Sequence, residues 1–368
     1  MLNKCSKFIK EEMVLVIALG LALLTSFFSL PKLSYIDFKV LILLFNLMIV
    51  VAAFKKLNLL DALAIKLLSY CSTFRKTSFI LVFLTFFASM FITNDVALLT
   101  FVPLTIIIAS KAKVDILKTV IFQTLAANLG SCLTPMGNPQ NLFIYSFYEL
   151  SFGTFIKIML PICVLSIIFL IALVKTEENI PLTTSLTLPK LGHSNHIVGF
   201  SVLFIIIILS VFRVVDYRLA FILTLLVVLI LDKKLFKEVD YSLLLTFIGF
   251  FIFVGNLSNL SSIKLFMEHL LSSSSSTYFT SLLTSQMISN VPATMLLSSF
   301  TPFYESLLLG VNIGGLGTLI ASLASVISYK LYVKAMPEKS SSYLRKFTYY
   351  NLLGLIIFTS IIYILMIR

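Results

Sequence analysis

Apolar runs of close to membrane-spanning length follow one another along this chain, at residues 13–30, 39–54, 155–174, 197–211, 219–231, 243–255 and 352–367. A hydrocarbon core about 30 Å thick asks for about 20 such residues per helix. Inside it, the backbone must close its hydrogen bonds within the segment or within a closed barrel. With 59% hydrophobic and 12% charged residues, the chain carries about half the charged fraction of a soluble domain. The expectation is an all-α integral membrane protein. Lys4, Lys7 and Lys10 ahead of the first run suggest a secretory leader, but Glu11 and Glu12 interrupt them and no Ala-x-Ala site follows Leu30, which argues for a retained helix.

A net charge of +12 does not call for nucleic acid here, because lysine and arginine lie in the connections between apolar runs, as the positive-inside rule expects. With the amino terminus inside, only Lys32, Lys39, Lys157, Arg213, Arg218, Lys264 and Arg368 of the 28 basic residues fall outside. That count puts the carboxy terminus outside and fits the cytoplasmic membrane of a bacterium. Cys5, Cys71, Cys132 and Cys163 show no paired spacing, and His193, His196 and His269 form no cluster. No metal centre or cofactor is expected, apart from sodium as a candidate coupling ion.

Two short polar segments buried in apolar sequence look like one motif used twice: Ile92-Thr93-Asn94-Asp95-Val96-Ala97 and Ile288-Ser289-Asn290-Val291-Pro292-Ala293. Each is followed by a second small and polar run, Asn128-Leu129-Gly130-Ser131 and Asn312-Ile313-Gly314-Gly315. We read each first segment as the tip of a re-entrant hairpin, over 77–109 and 277–300. In the first hairpin the arms are about 14 residues, or about 21 Å, which reaches past the midplane without crossing. The runs 116–145 and 303–332 are read as broken helices. In the first of these, Pro135, Gly137, Asn138 and Pro139 interrupt the apolar sequence, and unwound backbone at that depth is tolerated only where protein or a cavity covers it. A polar linker at 176–196 separates a first repeat (1–175) from a second (197–368). Each repeat is expected to hold five crossings plus its hairpin, and an odd number turns the second upside down relative to the first.

At a tip, unpaired carbonyls and unpaired N–H groups meet. Thr93, Asn94 or Asp95 can cap the returning helix, as can Ser289 or Asn290. The oxygens suit a small cation, and the positive helix end suits an anion. Asp95 is the one acidic residue placed deep in the membrane region, where a charge costs about 2.5–3.5 kcal/mol. It is read as a cation ligand or proton carrier, with helix capping as the structural alternative. Its counterpart is Val291. For Asn94, Asn128, Asn138, Asn141, Asn290 and Asn312 the plain alternative is interhelical hydrogen bonding.

Gly130-Ser131-Cys132-Leu133-Thr134-Pro135-Met136-Gly137-Asn138-Pro139-Gln140-Asn141, together with the two tips, resembles the ion transporter superfamily of divalent-anion/sodium symporters, citrate-type permeases and arsenite permeases. The resemblance implies a homodimer with a fixed scaffold and a transport domain that moves like an elevator. It implies a first cation site at Thr93, Asn94 and Gly130, a second at Ser289, Asn290 and Gly314, and substrate contact at the tips. The symporters carry Ser-Asn-Thr at both tips, whereas this chain has Thr93-Asn94-Asp95 and Ser289-Asn290-Val291. Asn94-Asp95 with Gly315-Leu316-Gly317-Thr318 is closer to the arsenite branch. The candidate substrate residues are Thr93, Asn94, Asn138, Pro139, Asn141, Ser289, Asn290 and Thr318. The cation-coupling set shares Thr93, Asn94, Ser289 and Asn290 with these and adds Asp95, Asn128, Gly130, Asn312 and Gly314. The expected function is a sodium- or proton-coupled permease for a small anion, such as a di- or tricarboxylate or an inorganic oxyanion. The alternative is arsenite or antimonite efflux, or sodium/proton antiport. No nucleophile and base occur together in the apolar core and no ATP-binding Gly-x-x-x-x-Gly-Lys is present, so an enzyme is not expected.

Overall fold

The computed structural model describes residues 12–182 and 187–368, so Lys4, Cys5, Lys7, Lys10 and Glu11 lie outside the described residues. These are helical almost throughout and hold no strand, only an isolated bridge between Thr73 and Pro181. The first half contains α1 (Met13–Ser26), α2 (Phe38–Lys56), α3 (Leu59–Leu68), α4 (Phe74–Ile92), α5 (Asn94–Ala112), α6 (Leu117–Gly130), α7 (Pro139–Phe147) and α8 (Phe152–Val174). The second contains α9 (Ser194–Val211), α10 (Tyr217–Leu231), α11 (Tyr241–Ser258), α12 (Ser261–Leu270), α13 (Ser274–Ile288), α14 (Asn290–Ser298), α15 (Tyr304–Ile313), α16 (Leu323–Ala335) and α17 (Ser340–Ile362). Among the described residues, seven segments are long and apolar enough to cross a membrane, α2, α4, α5, α8, α9, α11 and the segment Pro337–Ile367 that contains α17, and α1 and α10 are shorter apolar helices. The protein is an all-α integral membrane protein.

Polar residues at the ends of the apolar runs set the helix boundaries. Asp37 accepts from the Val40 N–H at 3.0 Å and starts α2, which ends on Lys55 and Lys56, where positive charge suits the helix dipole. Thr73 caps α4 by accepting from Lys76 N. Ser273 and Ser276 form a reciprocal capping box at the start of α13.

Two expectations change. The arms of the first hairpin, α4 and α5, are 19 residues each, or about 28 Å, rather than the shorter arms read from the apolar run. Arg75, Lys76 and Lys111 lie inside them because basic residues are good helix formers. The return arm ends instead at Lys113, which is left-handed at φ 54. Outside the hairpin arms, the described residues of the first half hold four apolar elements where five crossings were expected: α1, α2, the broken pair α6/α7, and α8. Outside its hairpin arms, the second half holds five: α9, α10, α11, the broken pair α15/α16, and α17.

Packing separates the helices into two bodies. Helices α1, α2, α3 and α9–α12 pack on one another, and α4–α8 pack with α13–α17. The bodies meet where α2 lies on α7, α11 on α14, α3 on α4 and α5, and α12 on α13. A cavity of about 300 Å³ sits in this seam, lined by Tyr35, Asp37, Phe143, Phe251 and Met295 among others. Arg213, from the turn between α9 and α10, crosses the seam to donate to the carbonyls of Tyr145 and Glu149, both at 3.1 Å. It thereby caps the carboxy end of α7.

The linker also joins the bodies. Its start lies along the base of the hairpin, with Phe74 N donating to Ile180 O (2.9 Å) and Leu182 N to Ser72 O (3.0 Å). Glu177 is buried there, accepting from Thr119 Oγ1 at 2.8 Å. Burial pushes the Glu177 carboxyl above its ordinary value, against the opposing pull of the Thr119 hydrogen bond and the Lys118 charge. The end of the linker lies on the other body, with Gly192 N donating to Leu57 O (3.2 Å) and Asn58 Nδ2 to Lys190 O (2.9 Å).

Candidate functional site

The two hairpin tips have almost the same backbone. Thr93 sits at φ 69, ψ 151 and Ser289 at φ 75, ψ 154. That region is nearly restricted to glycine and costs about 1–3 kcal/mol for other residues. Two side-chain-bearing residues held there at corresponding positions mark the tips as constrained by their surroundings. Neither residue caps the returning helix through its side chain, so the expected capping at Thr93 and Ser289 is corrected: a positive φ turns the chain instead. Asn94 Oδ1 accepts from Asp95 N at 3.0 Å.

Below each tip the same contacts recur. The hydroxyl of Thr134 donates to Met90 O, and that of Thr318 donates to Gln286 O at 3.2 Å. Met90 and Gln286 each lie three residues before their tip. Gly130 packs so closely on α4 that a Cβ would fall 2.1 Å from Phe86 O and 2.6 Å from Ser89 Oγ. A Cβ on Gly314 would fall 2.8 Å from the Ser285 Cβ. Ser89 and Ser285 each lie four residues before their tip. Asn94 N donates to Gly137 O (3.1 Å), and Ser289 Oγ lies 3.4 Å from Ala321 O.

The broken helices then clasp each other. Asn312, at the end of α15, donates to Asn141 Oδ1 at 2.7 Å and accepts from Asn138 Nδ2 at 3.3 Å. Asn128, in the last turn of α6, donates to Ser325 Oγ at 3.3 Å and accepts from Ser322 Oγ at 2.9 Å. Each asparagine is thus held by the cap residue and the third residue of the other half's broken helix. Asn128 also accepts from Asn94 Nδ2 at 3.3 Å and reaches Gly315 O at 3.4 Å. Asn138 caps α7, accepting from Asn141 N at 2.9 Å with Pro139 as first helical residue. Its amide also donates to Ser131 Oγ at 3.1 Å, and Ser131 Oγ donates to Asn128 O. Asn94, Asn128, Asn138, Asn141 and Asn312 are therefore one buried network.

The remaining candidates lie around it. Asn290 is buried beside Gly315, its Nδ2 3.0 Å from where a Gly315 Cβ would stand. Asp95 lies in the first turn of α5, and its Oδ1 is buried with no hydrogen-bond partner. Thr318 stands apart and exposed, on a loop held by Gln286. Ser322, Ser325 and Gln286 were absent from the sequence candidates. The serines follow Asn312 at the spacing with which Asn138 and Asn141 follow Asn128, and that spacing was the signal for them. Gln286 had no such signal, since its counterpart is Met90.

Three helices, α5, α7 and α16, begin at this network and a fourth, α14, begins beside it at Asn290, and none of the side chains that compose the network is basic. Their amino-terminal dipoles favour an anion, and the amides and hydroxyls supply both donors and acceptors.

The citrate transporter (CitMHS) family model matches residues 6–301. An uncharacterized transporter of Methanocaldococcus jannaschii is 33% identical over 322 residues, 87% of this chain and 88% of the relative. The inner membrane protein YbiR of Escherichia coli is 29% identical over 326 residues, 87% of each. The P protein of Homo sapiens is 32% identical over 120 residues, 32% of this chain and 14% of its own length. With the family matched from residue 6 through both tips to residue 301, the chain is a membrane transporter that belongs to the citrate transporter family.

Proposed function

We propose that the chain is a cation-coupled secondary transporter for a small anion, a di- or tricarboxylate or an inorganic oxyanion. The observation that carries this is the meeting of four helix amino termini in and beside an uncharged amide network, with one carboxylate, Asp95, whose buried Oδ1 has no hydrogen-bond partner. Helix termini favour the anion, and a partner-free carboxylate oxygen favours sodium or a proton. On this reading the two halves are inverted repeats. From α2 to its counterpart α11 the chain crosses through α2, α6/α7, α8, α9 and α10, an odd number, provided each hairpin returns to the side it left. The crossings of the described residues also total an odd number, which puts the termini on opposite sides, the amino terminus inside by charge. The body containing α4–α8 and α13–α17 carries the site, and the seam with its cavity is where it slides. A homodimer held by the other body fits that motion.

The test is uptake of labelled citrate and succinate into proteoliposomes under imposed sodium or proton gradients. Gradient-driven uptake by the wild type and its loss in Asp95→Asn is the expected result. Absence of gradient-driven uptake of either acid by folded wild type would leave the second reading, efflux of arsenite or sodium/proton exchange. That reading is favoured by the unequal tips, where Asp95 faces a counterpart Val291.

A further inference from the structure

The backbone repeats across the two halves but the chemistry at the tips does not. Thr93 and Ser289 share a conformation, Thr134 and Thr318 donate to corresponding carbonyls, and Gly130 and Gly314 pack on corresponding serines. A cation site in one half therefore predicts a twin in the other, unless side chains remove it. In the second half two of them do. Val291 offers no oxygen where the first half has Asp95. Gln286, on the arm leading to the tip, donates its carboxamide to Gly314 O at 2.7 Å and to Leu316 O at 2.9 Å, while its Oε1 accepts from Thr318 N at 2.9 Å. A carboxamide nitrogen has two protons, and both are committed.

The loop is shaped around this side chain. Gly317 has φ 101, and a Cβ on it would lie 2.4 Å from Gln286 Oε1. A cation seeking the Gly314 and Leu316 carbonyls must displace the amide and strand Thr318 N, so the site is closed by its own polar saturation. In the first half Met90, which has no donor, takes the place of Gln286. The loop there is braced instead from α7, where Asn141 Nδ2 reaches Ser131 O, Cys132 O and Thr134 O at 3.1–3.4 Å.

We infer that the chain has one coupling-cation site, at the first tip, and that Gln286 closes the second half against a cation. The inference rests on the cation-coupled reading above and fixes its stoichiometry. One monovalent cation accompanies the solute in each cycle.

The experiment uses the purified full-length chain, with binding of labelled sodium and melting in sodium chloride against choline chloride. Wild type should take no more than one sodium per chain, with a Hill slope of about 1. Gln286→Glu faces a carboxylate toward the Gly314 and Leu316 carbonyls and should recruit one further sodium, raising Tm by about 3 °C at saturation. Val291→Asp, which copies the first tip, should gain in the same way and serves if Gln286→Glu fails to fold. Both gains are read against wild type, so they hold whether its own cation is sodium or a proton. Two sodium ions per wild-type chain, with one retained in Asp95→Asn, would overturn the inference and leave the coupled reading standing. So would folded variants with no added sodium response. Identical sodium and pH responses in wild type and Asp95→Asn would instead remove the coupled reading, and the inference with it.

Discussion

The clasp between the two broken helices makes an energetic claim that one mutant cycle can test. Asn312→Ala removes the 2.7 Å donation to Asn141 Oδ1, the 2.8 Å donation to Leu308 O and the 3.3 Å acceptance from Asn138 Nδ2. Leu308 O lies inside α15, where the helix itself supplies a backbone donor. Asn138 Nδ2 keeps Ser131 Oγ at 3.1 Å. Asn141 Oδ1 is then the atom left without its donor, in a fully buried residue. An orphaned buried acceptor costs about 1–3 kcal/mol, and this sets the expected loss for the single variant. The pairwise share is smaller, since polar pairs in membrane proteins average about 0.6 and reach about 1.7 kcal/mol. At 2.7 Å, Asn312 with Asn141 belongs at the upper end, so the coupling in an Asn312→Ala, Asn141→Ala cycle should be about 1 kcal/mol.

The mirror pair sets an internal standard. Asn128 reaches Ser325 at 3.3 Å, and its coupling should be smaller than that of the closer pair. Equilibrium unfolding in mixed micelles by added SDS would give all seven stabilities. Additivity within about 0.3 kcal/mol for Asn312 with Asn141 would refute the clasp as a stabilising contact. A larger coupling for Asn128 with Ser325 would refute the distance ranking from which the argument runs.

Gly130→Ala should be destabilising by about 1–3 kcal/mol or more, because the obstacle 2.1 Å from the new Cβ is backbone, and melting of the purified variant checks it. Ser289→Gly should stabilise by about 1 kcal/mol through relief of the positive φ while slowing transport if the hydroxyl meets solute, so a Tm rise with a fall in uptake is the expected pair. Glu177→Gln should raise stability at neutral pH: a carboxyl whose folded pKa is raised favours folding as pH falls toward it, so wild type should gain on acidification across that interval and the variant should lose this dependence in a pH series of melts.

The membrane spans and the break between α6 and α7 were legible because they rest on strong local signals, long apolar runs and the proline and glycine residues between Thr134 and Pro139. The tips were legible for a related reason, since an asparagine in apolar sequence is costly and therefore informative. Other features carry no local signal. A positive φ at Thr93 or Ser289 runs against residue preference and exists only because each tip is trapped against a broken segment. The length of α4 and α5 was hidden by Arg75, Lys76 and Lys111, which end an apolar run without ending a helix. Ser322 and Ser325 look bland in sequence, and their meaning appears only when they meet Asn128 across the fold. Gln286 was the least legible, being one polar residue in an arm that also carries Thr284 and Ser285.

That pattern separates what the two halves share from what differs between them. The tip turn, the threonine bond to the carbonyl three residues before it and the glycine against a serine are backbone devices, and both halves keep them. Each half must keep them to fold its own hairpin onto its own broken helix. The carboxylate of Asp95 takes no part in that packing, the amide of Gln286 holds only the loop of the second half, and each is present in one half alone. On the proposed reading the shared frame places the solute between four helix amino termini, where symmetry suits an anion approached from both tips. The unshared side chains set which cation travels with it and how many. On that same reading a change of coupling needs only positions 95, 291 and 286, and the frame that holds them can stay as it is.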